Sequence, residues 1–279
     1  MDYIARYGLD FNPFIKNNAD ILVETHGYKE AVYRLNHLLS TKGFGVITAG
    51  AGRGKTTAIR HWTKTLSTSL YKIIYISLST TTTLEFYKQL AIELGLEPHY
   101  RKSDNYRSIQ NEITRYSIEK NITSIIIVDE ANYISSGILN DLKMLFAFDM
   151  DSKDRAIVIL SGLPILNNTL QKGINESLRQ RITMNYHLED LSETDGRNYI
   201  GQRLQAAKCN QTIFEDSAIL AILSTSNGTP RLINQLCDKC LLVGNLLQAP
   251  TINTDIVMKA IDESEFSLED KIFFVQKVT

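Results

Sequence analysis

Residues 49–56 read Ala49-Gly50-Ala51-Gly52-Arg53-Gly54-Lys55-Thr56, and they follow an apolar run at 44–48. The three glycines allow a tight turn in which successive backbone N–H groups point inward at a triphosphate. The lysine supplies a positive charge for the β- and γ-phosphates, and the threonine supplies a hydroxyl ligand for Mg²⁺. The stretch therefore predicts a phosphate-binding loop between a buried strand and a helix.

The residues expected to contact nucleotide lie in this loop and in the first turn after it. They are Ala51, Gly52, Arg53, Gly54, Lys55, Thr56 and Thr57. The dipole of the following helix, from Thr57 to about Leu66, favours a bound phosphate. Ala49 stands where the usual pattern has its first glycine, and a residue this small fits with little strain. A plain tight turn with an exposed lysine is the alternative interpretation.

A second motif argues against that alternative. It reads Ile125-Ile126-Ile127-Val128-Asp129-Glu130. Four β-branched apolar residues followed by two acids are typical of a central parallel strand that ends at the ligand-binding edge of its sheet. We expect Asp129 to hold Mg²⁺ together with Thr56, and Glu130 to be the base that polarises the attacking water. A solvated acidic turn would explain either acid alone, but the two motifs together predict a P-loop nucleoside triphosphatase that uses ATP and Mg²⁺.

The composition excludes few functions. The chain has 279 residues with 30 basic and 31 acidic side chains, a net charge of −1, so charge gives no strong indication of a nucleic-acid or membrane partner. The N-terminus lacks the layout of a signal peptide, and no apolar stretch is long enough to span a bilayer. We expect a cytoplasmic protein without membrane insertion, and the odd set of three cysteines suits a reducing compartment. Cys237 and Cys240 have redox-motif spacing, but they lie on an apolar helical stripe, which favours packing.

The order of elements predicts an α/β fold. Strands at 44–48, 72–78, 125–128 and 156–161 alternate with helices that include 28–39, 82–94 and 138–148. A capping box formed by Thr82 and Glu85 opens the second of these helices, and Gly95 ends it. This alternation indicates a doubly wound parallel sheet.

Beyond about Leu191 the pattern is purely helical. Ser192 is expected to cap the first helix, and Thr229 to cap a later one that has Pro230 at its first position. We therefore predict an α/β nucleotide-binding domain over 1–190 that includes an N-terminal arm at 1–27. A small all-helical lid at 191–262 and an acidic tail at 263–279 complete the chain.

A P-loop core followed by a helical lid with an arginine at a helix start resembles the AAA+ ATPases. Within them the chain is similar to the ExeA-type secretion ATPases, whose relatives include short ATPases that assist DNA transposition, of the TnsC and Mu B kind. The likeness covers about Tyr7 to Ile261 and rests on seven short stretches. They are Tyr7-Gly8-Leu9 with Asn12-Pro13-Phe14, Gln180-Arg181-Ile182 with Tyr186-His187-Leu188, Tyr199-Ile200, Arg203-Leu204, and Gly228-Thr229-Pro230-Arg231-Leu232-Ile233-Asn234.

The resemblance implies roles for three arginines. Arg231 would be the sensor on the lid that touches the γ-phosphate of its own subunit's nucleotide. Arg181 or Arg179 would be the finger that completes the site of a neighbouring subunit in an ATP-dependent homo-oligomer, a ring or a helical filament. An arginine offered in trans stabilises charge on the transferring phosphoryl group and so links hydrolysis to assembly. For Arg179 and Arg181 the alternative is a solvated helix end.

One position departs from the family pattern. Such relatives place a polar residue, which senses the γ-phosphate, where this chain has Leu163. Ser161 is a candidate substitute two positions earlier. We expect hydrolysis to be slow, with nucleotide binding acting as the switch.

The resemblance leaves the cellular role open. Secretion members carry a transmembrane helix and a peptidoglycan-binding domain after the ATPase, whereas this sequence stops at Thr279 with neither. We therefore favour a regulator of DNA transposition that assembles on double-stranded DNA with ATP and recruits or activates a transposase. The alternatives are a secretion or envelope-assembly ATPase acting on a membrane protein, a STAND-type signalling switch and a mechanical unfoldase. Candidate DNA contacts are Arg101, Lys102 and Arg107, a basic cluster that is equally well explained as a solvated loop.

Overall fold

The computed structural model describes residues 3–16, 21–77, 82–150 and 152–263. They form two compact units, one at 27–189 and the other combining the described residues up to 26 with those from 190 onward. In chain order the elements are α1 (Tyr3–Arg6), α2 (His26–Thr41), β1 (Gly43–Thr48), α3 (Lys55–Thr65), β2 (Tyr71–Ile76), α4 (Thr83–Leu94), α5 (Lys102–Ile118), β3 (Thr123–Val128), α6 (Ser136–Leu145), β4 (Ala156–Gly162), α7 (Ile165–Gln171), α8 (Glu176–Arg179), β5 (Ile182–His187), α9 (Glu193–Ala206), α10 (Asp216–Thr225), α11 (Pro230–Leu246) and α12 (Thr254–Asp262). Short 3₁₀ turns lie at Ala131–Tyr133 and Gly173–Asn175.

The larger unit is built on one parallel sheet of five strands in the order β2-β3-β4-β1-β5. Because all the strands run the same way, their carboxyl ends share one edge. The glycine-rich loop after β1 and the two acids after β3 therefore open at the same edge, where parallel sheets bind ligands. The α/β fold with a doubly wound parallel sheet, predicted from the sequence, is confirmed.

Helices cover both faces of this sheet. Alternate residues of β3 enter different cores: Ile126 and Val128 pack under α4, α5 and α6, whereas Ile125 and Ile127 pack with side chains from α2 and α3. Trp62 of α3 is fully buried in the second core, and its indole N–H donates to Asn36 Oδ1 at 2.9 Å, so its polar atom is satisfied.

Most element boundaries follow local sequence signals. The capping box is present, because the Thr82 hydroxyl accepts from the Glu85 amide and the Glu85 carboxylate accepts from the Thr82 amide. Gly95 ends α4 in the left-handed conformation, with φ 86°. Helix α6 is shorter than expected and ends at Leu145, and Leu78, the expected end of the second strand, lies outside the described residues.

The smaller unit is helical. Ser192 caps α9 by accepting from the amide of Asp195, as the sequence predicts. Thr229 stands at the expected N-cap position of α11, but its hydroxyl donates to Asp190 Oδ1 at 3.0 Å instead of bonding the helix amides. None of the helices in the described residues is long and apolar enough to cross a membrane. The acidic tail expected at 263–279 lies outside the described residues from 264 onward.

The N-terminal arm, expected from the sequence to belong to the nucleotide-binding domain, packs into the helical unit. Tyr7 and Phe14 are buried in the helical core, where the Phe14 ring makes an edge contact with Phe214 at 6.2 Å between centroids. The buried guanidinium of Arg203 donates through Nε to the Pro13 carbonyl at 2.8 Å and through Nη1 to the Tyr199 hydroxyl at 3.0 Å. Aromatic burial and these bonds hold the arm against α9 and Phe214, and Arg6 and Asn12 bond to Asn245 and Asp238 of α11.

Candidate nucleotide-binding site

The glycine-rich loop has the backbone needed to cradle an anion. Gly52 and Gly54 adopt positive φ angles of 77° and 94°, which side-chain-bearing residues rarely adopt. Helix α3 begins directly after the second of them, so its first-turn N–H groups point into the loop. Ala49 is fully buried and its amide donates to the Gly162 carbonyl at 3.1 Å, so the first residue of the loop is tied to β4.

The basic residues of the loop fold back over it. Lys55 is 6% exposed, and its Nζ donates to the Ala49 carbonyl at 3.3 Å across the loop. The Arg53 side chain lies over Gly50, where an added Cβ would come within 2.9 Å of its Nε. Both positive charges are therefore held at the loop where phosphates would bind. Thr56 and Thr57 are exposed on the first turn of α3.

Asp129 links the two motifs. Its Oδ2 accepts from the Thr56 hydroxyl at 2.8 Å, and its Oδ1 accepts from the Ser161 hydroxyl at 2.8 Å and from the Glu130 amide at 3.0 Å. A hydroxyl and a carboxylate oxygen in contact are hard oxygen donors of the kind that Mg²⁺ prefers, so these residues fit the ion. The structure thus brings together Lys55, Thr56, Asp129 and, next in the chain, Glu130.

Glu130 has an unusual backbone. Its φ of 50° is left-handed, a conformation that costs a non-glycine residue about 1–3 kcal/mol and that clusters at functional sites. The residue is half-buried, and its carboxylate makes no hydrogen bond with any residue that the structure describes. That carboxylate therefore has its acceptor sites available for a water molecule.

Two polar residues of the site were missed in the sequence. Tyr75 of β2 donates its hydroxyl to Asp129 Oδ2 at 2.8 Å, and burial, with the neighbouring carboxylates, raises the pKa of Tyr75 above its usual value. Asn132 lies in the 3₁₀ turn after Glu130, and its Oδ1 accepts from the Leu163 amide at 2.8 Å. A polar aromatic residue near the end of a β-branched strand, and an amide two residues after the acidic pair, were the available signals.

Asn132 places a polar group beside Leu163, the position at which this chain lacks the polar residue of the family pattern. A Cβ at Gly162 would lie 2.7 Å from Asn132 Oδ1, so this glycine allows the amide to approach the end of β4. Ser161, the expected substitute, is fully buried, and its hydroxyl donates to Asp129 Oδ1. The polar group next to Leu163 therefore comes from the turn after β3.

The arginines lie in different surroundings. Arg181 is half-buried: its Nη1 donates to the Lys143 carbonyl at 2.8 Å, its guanidinium lies 5.9 Å from the centre of the Phe44 ring, and desolvation lowers its pKa. Arg179 is exposed at the end of α8 and makes no side-chain hydrogen bond or ion pair within the described part of the chain. Arg231 is exposed on the first turn of α11 in the helical unit.

Two of the three candidate DNA contacts, Lys102 and Arg107, lie in the first two turns of α5, so they belong to a helix rather than a loop. Arg101 precedes the helix and is exposed, as is Arg107. Lys102 forms a 2.6 Å ion pair with the nearly buried Asp141 of α6 and lies over the Tyr87 ring. Part of the positive charge expected for DNA is therefore used within the fold.

Comparison with known proteins agrees with this geometry. Residues 36–170 match a family model described as an AAA domain. The chain is 33% identical to general secretion pathway protein A of Aeromonas hydrophila over 245 residues, which cover 86% of this chain and 44% of that protein. The chain thus spans less than half the length of this curated relative.

Two solved structures share the fold. Cdc6p from Pyrobaculum aerophilum has a TM-score of 0.72 at 14% identity, covering 94% of this chain and 73% of its own. The ORC1 protein of Aeropyrum pernix, solved in complex with DNA, has a TM-score of 0.63 at 14% identity, covering 90% and 68%. The comparisons support the resemblance to ExeA-type ATPases and not the resemblance to the TnsC and Mu B regulators. The chain has the P-loop AAA+ fold, with an AAA domain matched over residues 36–170 and a helical C-terminal region.

Proposed function

We propose that this chain binds ATP with Mg²⁺ and hydrolyses it. The observation that carries the proposal is the 2.8 Å contact between the Thr56 hydroxyl and Asp129 Oδ2, which joins the glycine-rich loop to the acidic strand end. Loop amides and Lys55 hold the phosphates, while Thr56 and Asp129 hold the metal. When bound, Mg²⁺ neutralises charge on the phosphate oxygens.

Glu130 supplies the base in this proposal. Its carboxylate follows the proposed metal ligand directly and has acceptor capacity for the attacking water. It takes a proton from that water as the water oxygen bonds to the γ-phosphorus and the bond to the β–γ bridging oxygen breaks, so that ADP leaves with the electron pair. The Asn132 amide, positioned beside Leu163, orients that water or the γ-phosphate in place of the polar side chain missing at residue 163. Turnover remains slow until a neighbouring subunit completes the site.

We assign the role of trans arginine to Arg179 rather than Arg181. Arg181 is engaged with the Lys143 carbonyl and the Phe44 ring, so offering it to a neighbour would break contacts inside its own subunit. Arg179 is exposed at a helix end. Arg231 keeps its proposed role as the sensor on the helical unit.

Mixing two inactive variants tests this assignment. Arg179→Ala is expected to bind ATP but neither hydrolyse it nor assemble, and Lys55→Ala is expected not to bind it. When the two variants are mixed, hydrolysis is expected to return. In a mixed oligomer the intact loop of an Arg179→Ala subunit meets the intact Arg179 of a Lys55→Ala subunit. Arg181→Ala is the matched control and is expected to lower thermal stability. Recovery of activity with Arg181→Ala, but not with Arg179→Ala, would reverse the assignment.

For the work driven by ATP we propose regulation of DNA transposition: ATP-dependent assembly on double-stranded DNA in the cytoplasm, recruitment of a transposase, and disassembly on hydrolysis. The support is the exposed pair Arg101 and Arg107, and a fold shared with a protein solved in complex with DNA. Lys102 contributes less than its charge suggests, because Asp141 neutralises it.

The second candidate is an ExeA-like secretion or envelope-assembly ATPase that acts on a membrane protein partner. Its specific support is the 33% identity to general secretion pathway protein A. This candidate predicts assembly that ignores DNA.

Electron microscopy in negative stain separates the two candidates. The purified protein is imaged with a slowly hydrolysed ATP analogue, with and without double-stranded DNA, and Lys55→Ala serves as the control. Regular rings or filaments that need DNA, nucleotide and Lys55 would support the transposition role. Assembly indifferent to DNA would contradict it and favour the secretion role.

A further inference from the structure

Tyr75 is a fourth hydrogen-bond donor on the Asp129 carboxylate. Oδ2 accepts from the hydroxyls of Tyr75 and Thr56, each at 2.8 Å, while Oδ1 accepts from Ser161 and from the Glu130 amide. A carboxylate has about four acceptor sites, so the acid that is expected to serve the metal is already saturated.

Strand geometry explains why these donors converge. Side chains alternate between the faces of a sheet, and Tyr75, Asp129 and Ser161 all fall on the face that packs against α3. Ile76 pairs with Val128, and Val128 pairs with Leu160, so Asp129 and Ser161 are level at the sheet edge. Tyr75 on β2 pairs with Ile127, two residues before Asp129, and its longer side chain reaches forward to the same carboxylate.

The donors differ in their freedom to move. Ser161 is fully buried, whereas Tyr75 is 42% exposed and so borders solvent. The Thr56 hydroxyl can donate its hydrogen to Asp129 while its lone pairs face a metal. Only Tyr75, among the described side chains on Oδ2, must leave for a metal or a metal-bound water to approach that oxygen.

We propose that Tyr75 is a positioning residue that holds Asp129 in the metal-free site and competes with Mg²⁺ for Oδ2. The proposal rests on the proposed function, because it assumes that Thr56 and Asp129 serve the metal of a bound nucleotide. In this arrangement Tyr75 sets the concentration of Mg²⁺ that nucleotide binding requires. It also provides a hydrogen bond to the buried Asp129 carboxylate when the metal is absent.

The test is a Mg²⁺ titration of binding to a fluorescent ADP analogue, which involves no turnover. Tyr75→Phe removes the hydroxyl and keeps the ring, so we expect the half-saturating Mg²⁺ concentration to fall about three- to tenfold, the effect of one lost competing hydrogen bond. Affinity in EDTA is expected to be unchanged. Tyr71→Phe, on the same strand and face, is the matched control and is expected to behave as wild type. Ser161→Ala is expected to shift the titration the opposite way, because it loosens the carboxylate without freeing Oδ2.

The outcomes distinguish a failure of the proposed role of Tyr75 from a failure of the proposed Mg²⁺ site. An unchanged or higher Mg²⁺ requirement in Tyr75→Phe would overturn the role of Tyr75, as would an equal change of affinity in EDTA, which indicates general loosening. Wild-type binding that does not respond to Mg²⁺ would instead overturn the metal site itself.

Discussion

Among single residues, the conformation of Gly54 matters more to the site than its small size. Its φ is 94°, and an added Cβ would meet nothing within 4 Å, so strain rather than a clash excludes other residues. Gly173 has the same open surroundings but an ordinary φ. The two glycines therefore separate the effect of backbone conformation from that of space.

We expect Gly54→Ala to cost about 1–2 kcal/mol of stability, the penalty of the left-handed conformation, and to weaken nucleotide binding. Gly173→Ala is expected to be nearly neutral. Urea unfolding and fluorescent-nucleotide binding measure both variants. Equal effects of the two substitutions would contradict the assignment of strain to residue 54.

The cysteines give a second prediction. Burial raises the pKa of Cys240 to about 12 and that of Cys237 well above its usual range, so both thiols stay protonated near neutral pH. Cys209 is half-buried. The thiolate is the reactive form. We therefore expect only the Cys209 thiol, among the three, to react rapidly with a disulfide reagent at pH 8 in the native protein, and all three to react after denaturation. Rapid reaction of Cys237 and Cys240 in the native protein would instead favour the redox interpretation.

The residues of the site were predictable in proportion to how local their signals are. The glycine-rich loop and the pair Asp129-Glu130 are each a short motif of consecutive residues. Their positions at the strand ends therefore follow from the sequence. Tyr75 and Asn132 reach the site only through strand register and a tight turn. Those depend on pairing between strands that lie far apart in the chain.

Among the elements, strands with continuous β-branched runs were predictable and β5 was not. Residues 182–187 read Ile-Thr-Met-Asn-Tyr-His and form the edge of the sheet next to β1, where one side is unpaired and polar residues are tolerated. The place of the arm could not be predicted, because aromatic residues in an irregular segment do not indicate which core buries them.

The contact between Tyr7 of the N-terminal arm and Gly244 of α11 provides a test of how the arm packs. A Cβ at Gly244 of α11 would lie 2.4 Å from the Tyr7 hydroxyl and 2.3 Å from Ile252 Cδ1, so we expect Gly244→Ala to destabilise the helical unit by about 1–3 kcal/mol through overpacking. The matched change is Gly201→Ala on α9, which meets nothing within 4 Å. It is expected to stabilise the protein by about 0.5–1 kcal/mol, because alanine is the better helix former. Chemical unfolding measures both, and a neutral Gly244→Ala would contradict the packing of Tyr7 at this position.

For the whole molecule, each unit has its own hydrophobic core, and the residues of the nucleotide loop, Asp129 and Glu130 all belong to the larger unit. The proposed trans arginine would make hydrolysis depend on association. We therefore expect the specific ATPase activity to rise with protein concentration and to level off as oligomers form. Activity per subunit that is constant from dilute to concentrated protein would contradict completion of the site in trans.

ATP binding and Mg²⁺-dependent turnover, measured side by side for wild type, Lys55→Ala and Glu130→Gln, test the nucleotide site most directly. Wild type is expected to bind and hydrolyse, and Lys55→Ala to lose binding. Glu130→Gln is expected to keep binding while turnover falls by about 10²-fold or more, because the general base is lost. Wild-type turnover in Glu130→Gln, or unimpaired ATP binding in Lys55→Ala, would contradict the site described here.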